Sequence, residues 1–486
     1  MSTYLGIDVG TSEVKTLLID AEHAPLASAR ASLTVERPIP GWSEQDPDQW
    51  WQAVRRTLDE LKAAAPEALA AVEGIGLSGQ MHGATLLDRD DRPLRPCILW
   101  NDGRSAEECA ELERLGDFHT IAGNLVMPGF TAPKLRWVAK HEPDLFARIA
   151  KVLLPKDYVR LHLVGDHVSD MSDSAGTLWL DTAARRWSPE LLAATGLDVD
   201  RMPRLVEGSE ASGQLRAELA ARWGLARTPV VAGGGGDNAA SACGIGAVEP
   251  GRAFLSLGTS GVLFVATDRF RPNVAGAVHA FCHALPDSWH QMAVVLAATD
   301  SLNWLARRLK SDAASLTAAL GDQLQGPADV LFLPYLGGER TPHNDAAIRG
   351  AFVGLSHGAD DAVLTRAVLE GVGFGFKDGF SVLQAAGSDV EAFTAVGGGA
   401  RSMHWLAMLA TILDRPVEVP ANGDFGAAFG AARLGMAAAT GADPKTICTK
   451  PPIARVIEPD PRWHDAYAQR FERYRALYPA LEEVMA

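Results

Sequence analysis

Two aspartates stand where an acid needs a reason. Asp8 lies in Ile7-Asp8-Val9-Gly10-Thr11-Ser12-Glu13-Val14-Lys15, on a run otherwise made of apolar and glycine residues. An unpaired carboxylate is costly in such a setting. A hydrated Mg²⁺ would satisfy it, because Mg²⁺ keeps waters and takes one or two carboxylates together with phosphate oxygens. The alternative is that Asp8 hydrogen-bonds its own turn. Asp237 follows four glycines in Ala232-Gly233-Gly234-Gly235-Gly236-Asp237-Asn238-Ala239-Ala240. By local pattern alone it is a helix cap. A cap does not need four glycines, whereas a ligand that must approach closely does. A carboxylate so placed can take a proton from a hydroxyl that attacks phosphorus.

Two further clusters suit a polyhydroxylated ligand. Gln80, Met81 and His82 follow the apolar run at 74–77, and Trp100, Asn101 and Asp102 follow Ile98-Leu99. Together they offer many hydrogen bonds and an apolar wall. Taken alone, His82 reads as a structural histidine. His279-Ala280-Phe281-Cys282-His283 does not suit a metal, since the adjacent Cys282 and His283 rarely share a tetrahedral site. For phosphate there are two Gly-Thr-Ser turns, Gly10-Thr11-Ser12 and Gly258-Thr259-Ser260. Their backbone N–H groups and hydroxyls can cradle phosphate oxygens, and facing turns could hold a triphosphate. The chain has no Gly-Lys dipeptide and hence no Walker A loop, and it has no protein-kinase signature. Gly397-Gly398-Gly399 does not match the dinucleotide-binding glycine pattern.

Positioning such groups requires strands that end in turns. The segments around Asp8 and Leu257 each read as strand, Gly-Thr-Ser turn, strand, about half a chain apart, which suggests a duplicated hairpin unit. Asp46-Pro47 opens a helix with Trp51, Val54, Leu58 and Leu61 on one face, and Gln49 is placed to close a capping box. A second helix spans 401–413. A last one starts at Asp460-Pro461 and aligns Tyr467, Phe471, Tyr474 and Tyr478 for packing. Strands are expected at 74–77, 229–232, 330–333 and 393–396. Alternating strands and helices argue an α/β fold. The first domain is expected at 1–246 and the second at 247–486, with Pro250-Gly251 punctuating the boundary.

Composition narrows the function. At 486 residues the chain fits two or three domains. Its 45 Lys+Arg against 60 Asp+Glu give −15, a poor match for nucleic acid or an acidic membrane. Positive potential for a nucleotide must then be local, from backbone N–H groups, helix N-termini and Mg²⁺. Five cysteines without paired spacing indicate a reducing compartment. With no 18-residue apolar run and no basic leader, a cytoplasmic protein is expected.

As a set these residues resemble the FGGY carbohydrate kinases of the actin/hexokinase-like superfamily, over nearly the whole chain. The segment 129–137 fits one signature of that family. The region 350–370 fits the other, except that Val363 stands where a polar residue is usual. Within the family, 42–47, 78–84, 99–104, 154–158 and 338–344 are most similar to members that phosphorylate D-xylulose. Glycerol kinases differ where Met81 and His82 stand. One departure is a glycine run before Asp237 that is one residue longer than the family pattern, which would shift the carboxylate or alter substrate tolerance.

The resemblance implies two ribonuclease-H-like domains about a central cleft, with the sugar in the first domain and the nucleotide between the two. It implies ATP-dependent conversion of D-xylulose to D-xylulose 5-phosphate in xylose catabolism. Asp237 matches the catalytic base and Asp8 the Mg²⁺-associated aspartate. Met81 and His82 match the sugar-contacting pair, with Trp100 and Asn238 beside them. Gly10, Thr11, Ser12 and Lys15 match the first phosphate loop, Gly258 and Thr259 the second, and Gly398 and Gly399 the glycines beside the adenosine. A homodimer is a further implication. The alternatives are a kinase for another ketose or a polyol, an actin-like ATP switch and a binding module without catalysis.

Overall fold

The computed structural model describes residues 2–321, 323–421 and 426–485. Its frame is a pair of sheets with one plan. In the first, the strands run in the order Ala211–Gln214, Val230–Ala232, Val72–Gly79, Thr3–Val9, Glu13–Asp20 and Pro25–Ser32. In the second, the order is His279–Cys282, Trp289–Val295, Gly261–Thr267, Ala253–Leu257, Phe393–Val396, Val417–Pro420 and Ile453–Ile457.

Each sheet is built on an antiparallel hairpin with a Gly-Thr-Ser tip. The first strand of each hairpin pairs in parallel with a strand much later in the chain, Val72–Gly79 in one case and Phe393–Val396 in the other. A second parallel strand and an antiparallel edge strand complete each side. The repeated Gly-Thr-Ser pattern therefore marks a repeated topology. The central strand Thr3–Val9 reads as a near-continuous buried run because it is covered on both faces, as parallel strands are.

Several local expectations need correction. The helix Pro47–Ala64 is capped by Asp46, but no capping box forms, because the Gln49 side chain accepts instead from the Thr34 N–H at 2.9 Å. The expected helix at 401–413 is a 3₁₀ turn, Gly398–Arg401, followed by a helix, Met403–Leu413, that Ser402 caps. The last expected helix begins at His464, since Asp460 folds back onto the N–H and guanidinium of Arg462. It ends at Arg475, so Tyr478 belongs to a separate helix, Leu477–Met485. Val363 does not disturb its helix. Asp360 caps Asp361–Ala385 by accepting from the Val363 backbone N–H, a bond indifferent to side-chain polarity.

The two halves are not separate bodies. One apolar cluster unites Met81, Phe130 and Ala242 with Phe254, Phe264, Phe281 and Met292. The helix Ala427–Thr440 lies on the first sheet, against Thr3–Val9 and Val72–Gly79, and on the helix Asp237–Ile245. A Cβ on Gly76 would stand 1.7 Å from the Ala431 carbonyl oxygen. Glycine on this strand and small residues on this helix let the two backbones touch.

Candidate active site

The glycine run before Asp237 is an interruption within a strand. Val230–Ala232 pairs with Gly74 and Ile75, the chain then kinks, and Gly235–Gly236 rejoins the same neighbour at Ser78 and Gly79. Gly234 takes φ +75°, and a Cβ there would lie 2.1 Å from the Leu77 carbonyl oxygen, so only glycine fits. Charged groups buried in the first half grip this kink. The Arg160 guanidinium donates to the carbonyls of Ala232 and Gly233. Ser172 Oγ accepts from the Gly236 N–H at 3.1 Å and donates to Asp170 at 2.5 Å. Lys156 bridges Asp157, Asp170 and Asp173, all completely buried.

Asp237 is thereby set as the first residue of the helix Asp237–Ile245. The helix dipole favours its ionised form. The backbone N–H and the side-chain amide of Asn238 also favour it, both donating to Oδ1, at 2.7 and 2.9 Å. Burial of the carboxyl outweighs these and pushes its pKa up to about 6. Asp8 is raised to about 6 as well, first by burial and then by the nearby Asp237 charge, while Ser78 and Lys15 oppose the rise. Lys15 stands opposite Asp8 in the hairpin register. The buried Oδ1 of Asp8 has no hydrogen-bond partner among the described residues.

Beside Asp237 lies a cavity of about 190 Å³. Met81, His82, Trp100 and Asn238 line it, so the structure gathers every expected sugar-contacting residue around one space. His82 adopts φ +69°, a region rare for a residue with a side chain. Three contacts hold it there. Its Nδ1 sits 2.6 Å from the Gly176 carbonyl, and its own carbonyl accepts from Thr131 Oγ1 and from the Lys134 ammonium. Lys134 is completely buried and also donates to Gly129 at 2.7 Å. The signature segment 129–137 thus braces the His82 turn. Burial drives the His82 pKa down to about 3, so the ring is neutral, Nδ1 carries the proton and Nε2 is an acceptor.

Both hairpins reach the rim of this cavity. Ser260 of the second lines it. Thr11 of the first accepts at Oγ1 from the Trp100 indole N–H at 3.0 Å and donates to Gln80 Oε1 at 2.9 Å. The Thr11 hydroxyl is therefore already paired, while Ser12 at the tip is exposed. Gln80 and the buried Gln45 tie the hairpin to the His82 turn. Gln80 donates to Gln45 Oε1 at 2.8 Å, and Gln45 donates to the Thr11 carbonyl at 2.7 Å.

Gly258 and Thr259 turn their carbonyls to the backbone N–H groups of 298–300, joining the second hairpin to the helix Thr299–Leu309. Gly398 and Gly399 lie apart from the first cavity. With Thr299, Asn303, Ser402 and His404 they line a second one, of about 680 Å³. Helix Thr299–Leu309 forms a wall of that second cavity, so the second hairpin is bonded to that wall while its Ser260 lines the first.

The first cavity is not confined to residues 1–246. Ser260, Val262, His279, Phe281, Met292, Val294 and Arg340 close its other side. His279, considered above only as a metal ligand, faces this space, and Phe130 packs edge-on between it and His82. No sequence spacing links His279 or Arg340 to Asp237, and only the fold brings them together.

Family comparison matches residues 3–244 to the FGGY family of carbohydrate kinases, N-terminal domain, and residues 253–439 to its C-terminal domain. The xylulose kinase of Escherichia coli K12 is 50% identical over 99% of this chain and 100% of its own length. Among solved structures, a protein described as a xyloylose kinase from Brucella ovis is 61% identical, covering 99% of this chain and 100% of that one, with TM-score 0.98. A xylulose kinase from Rhodospirillum rubrum is 32% identical over 99% of both chains, with TM-score 0.92.

Proposed function

The chain belongs to the FGGY family of carbohydrate kinases and is a sugar-kinase phosphotransferase, and from that premise we propose that it phosphorylates D-xylulose at the 5-hydroxyl with ATP, yielding D-xylulose 5-phosphate for xylose catabolism. The observation that carries this reading is the single cavity holding Asp237, His82, Met81, Trp100 and Asn238 between two Gly-Thr-Ser hairpins. Relatives named xylulose kinase, covered end to end, support the choice of sugar.

The sugar sits in the smaller cavity, with its hydroxyls donating to Asp237 and to His82 Nε2. ATP lies along the second cavity, its adenosine beside Gly398 and Gly399 and its phosphates toward Gly10–Ser12, Lys15, Gly258 and Thr259. Asp237 accepts the proton of the 5-hydroxyl as that oxygen bonds to the γ-phosphorus. The bond from the γ-phosphorus to the bridging oxygen breaks, and ADP leaves with the electron pair. Closure of the halves keeps water from competing as acceptor.

The residues fit Mg²⁺. One orphaned carboxylate oxygen on Asp8 suits an ion that retains most of its waters. When bound, Mg²⁺ would offset phosphate charge, with Asp8 holding it through that oxygen.

In this reading residues 1–246 supply the base and most sugar contacts, and 247–486 supply the nucleotide side. The protein works in the cytoplasm as a homodimer. All five cysteines are free and buried, in keeping with a reducing compartment. No helix among the described residues is long and apolar enough to cross a membrane. A coupled ADP-release assay over pentuloses, other ketoses and alditols tests the assignment. D-Xylulose is expected to give the highest kcat/KM. ATP hydrolysis with polymerisation and no sugar dependence would overturn it.

A further inference from the structure

The cavity beside Asp237 contains one cation from the second half, Arg340. Among the described residues no carboxylate lies within salt-bridging distance of its guanidinium. Its one polar side-chain contact among the described residues is a long one, Nη1 to His279 Nε2 at 3.5 Å. The neighbouring Glu339 makes no ion pair with it, although its charge acts on the guanidinium through space. Glu339 Oε1 accepts from the backbone N–H groups of Leu296 and Arg340, and burial pushes its pKa up to about 8.

The orientation of His279 is set from behind. Asn124 donates its amide N–H groups to the carbonyls of Ala122 and Ala280, which leaves its Oδ1 facing His279 Nδ1 at 3.2 Å. Nδ1 therefore carries the proton, and Nε2 accepts from Arg340. Among the described residues the remaining guanidinium N–H groups have no hydrogen-bond partner, and Arg340 lines the cavity.

The segment bearing Arg340 is firmly seated. Thr341 Oγ1 accepts from the Val294 N–H at 3.0 Å and donates to the Ala277 carbonyl at 3.1 Å. His343 stacks on Tyr478 with ring centroids 3.6 Å apart, and the Tyr478 hydroxyl donates to Asp345 at 3.2 Å. A half-buried guanidinium that lines the cavity and is held this way should meet an acceptor on the occupant.

The cavity has a chemical polarity. Asp237 and His82 Nε2 accept hydrogen bonds, and hydroxyls can supply them. Arg340 can only donate. A 2-pentulose closes its five-membered ring through the oxygen on C5. An enzyme that phosphorylates that oxygen must bind the open-chain ketone. The open chain has one oxygen that can only accept, the C2 carbonyl.

Resting on the pentulose reading above, we propose that Arg340 is a specificity-determining residue that donates to the C2 carbonyl oxygen of the open-chain ketose while Asp237 engages the 5-hydroxyl at the other end. The second half thus reads the ketone, and the first half reads the hydroxyls.

The test compares the parent enzyme with Arg340→Met and Arg340→Lys on D-xylulose and on xylitol and D-arabinitol, the two pentitols that reduction at C2 would give. For R340M, kcat/KM on D-xylulose should fall about tenfold to a hundredfold, the range for a lost hydrogen bond to a charged donor. On the pentitols it should fall by less than about threefold. R340K should fall between parent and R340M on the ketose only, and it serves alone should R340M fail to fold. Equal losses on ketose and pentitols would overturn the inference, as would a fall in kcat at unchanged KM for every acceptor, which would place Arg340 at the phosphoryl group. A parent enzyme inert toward every pentulose would overturn the underlying reading and the inference together.

Discussion

At the scale of single residues, the site depends on two carboxylates held near the top of their ionisation range. Asp237 and Asp8 both lie at about 6, raised first by burial. A base must be ionised to accept a proton, so kcat/KM should decline as pH falls through about 6, and a pH–rate profile with free substrates reads this directly. The same shift has a thermodynamic face. A folded-state pKa above the unfolded value means that ionisation of Asp237 opposes folding. The penalty is absent below about pH 4, grows as pH rises toward 6 and is complete above it. Asp237→Asn should therefore be more stable than the parent at pH 7.5, by about 1–3 kcal/mol from a shift of about two units. The difference should vanish near pH 4 in paired thermal melts. Both aspartates were legible in the sequence because an acid among glycines and apolar residues has few structural uses. His279 and Arg340 were not, since His279 is oriented by Asn124 and Arg340 touches His279, each partner more than fifty residues away.

At the scale of elements, the kinked strand and the charges under it decide where Asp237 points. Four glycines could be counted in the sequence, but the reason for them could not. Gly234 passes within a Cβ's reach of Leu77, and Gly235–Gly236 returns to the strand that Ala232 has just left. That accounts physically for a long glycine run. Ser172 is the contact with the least steric role in this arrangement. Ser172→Ala removes the acceptor for the Gly236 N–H, and an unpaired buried N–H costs about 1–3 kcal/mol. Kinetics and melts on S172A should show that loss together with a fall in kcat at nearly unchanged sugar KM. A fall in KM affinity alone would mean that the kink does not aim the base. Helix boundaries were less legible than strands. Asp460 and Gln49 both look like cap residues in sequence, yet Asp460 turns back onto Arg462 and Gln49 is drawn to Thr34.

At the scale of the whole molecule, the duplicated sheet plan was legible from two Gly-Thr-Ser turns, while the lock between the halves was not. Ala427–Thr440, late in the chain, completes the packing of the first sheet. Arg433 on that helix is buried and donates to the carbonyls of Cys243, Gly244 and Thr449, so it secures the C-terminal end of the helix that starts at Asp237. The hint lay in the glycines at positions 6, 74 and 76 facing an Ala- and Gly-rich helix, a close-packing pattern visible only when both partners are known. Gly76→Ala would force a methyl group into the Ala431 carbonyl and should cost about 3 kcal/mol or more. Denaturant melts should show the loss as a single lowered midpoint for both halves, because the helix joins them. Two separated transitions, only one of them shifted, would contradict that linkage.

The most direct measurement is single-turnover transfer from ATP to D-xylulose by Asp237→Asn, with binding of each ligand followed in parallel by calorimetry. If Asp237 takes the proton of the 5-hydroxyl, transfer should slow by about 10²–10⁴-fold, while the dissociation constants for nucleotide and sugar stay within a few-fold of the parent. Transfer at near-parental rate in a folded D237N enzyme would contradict the account.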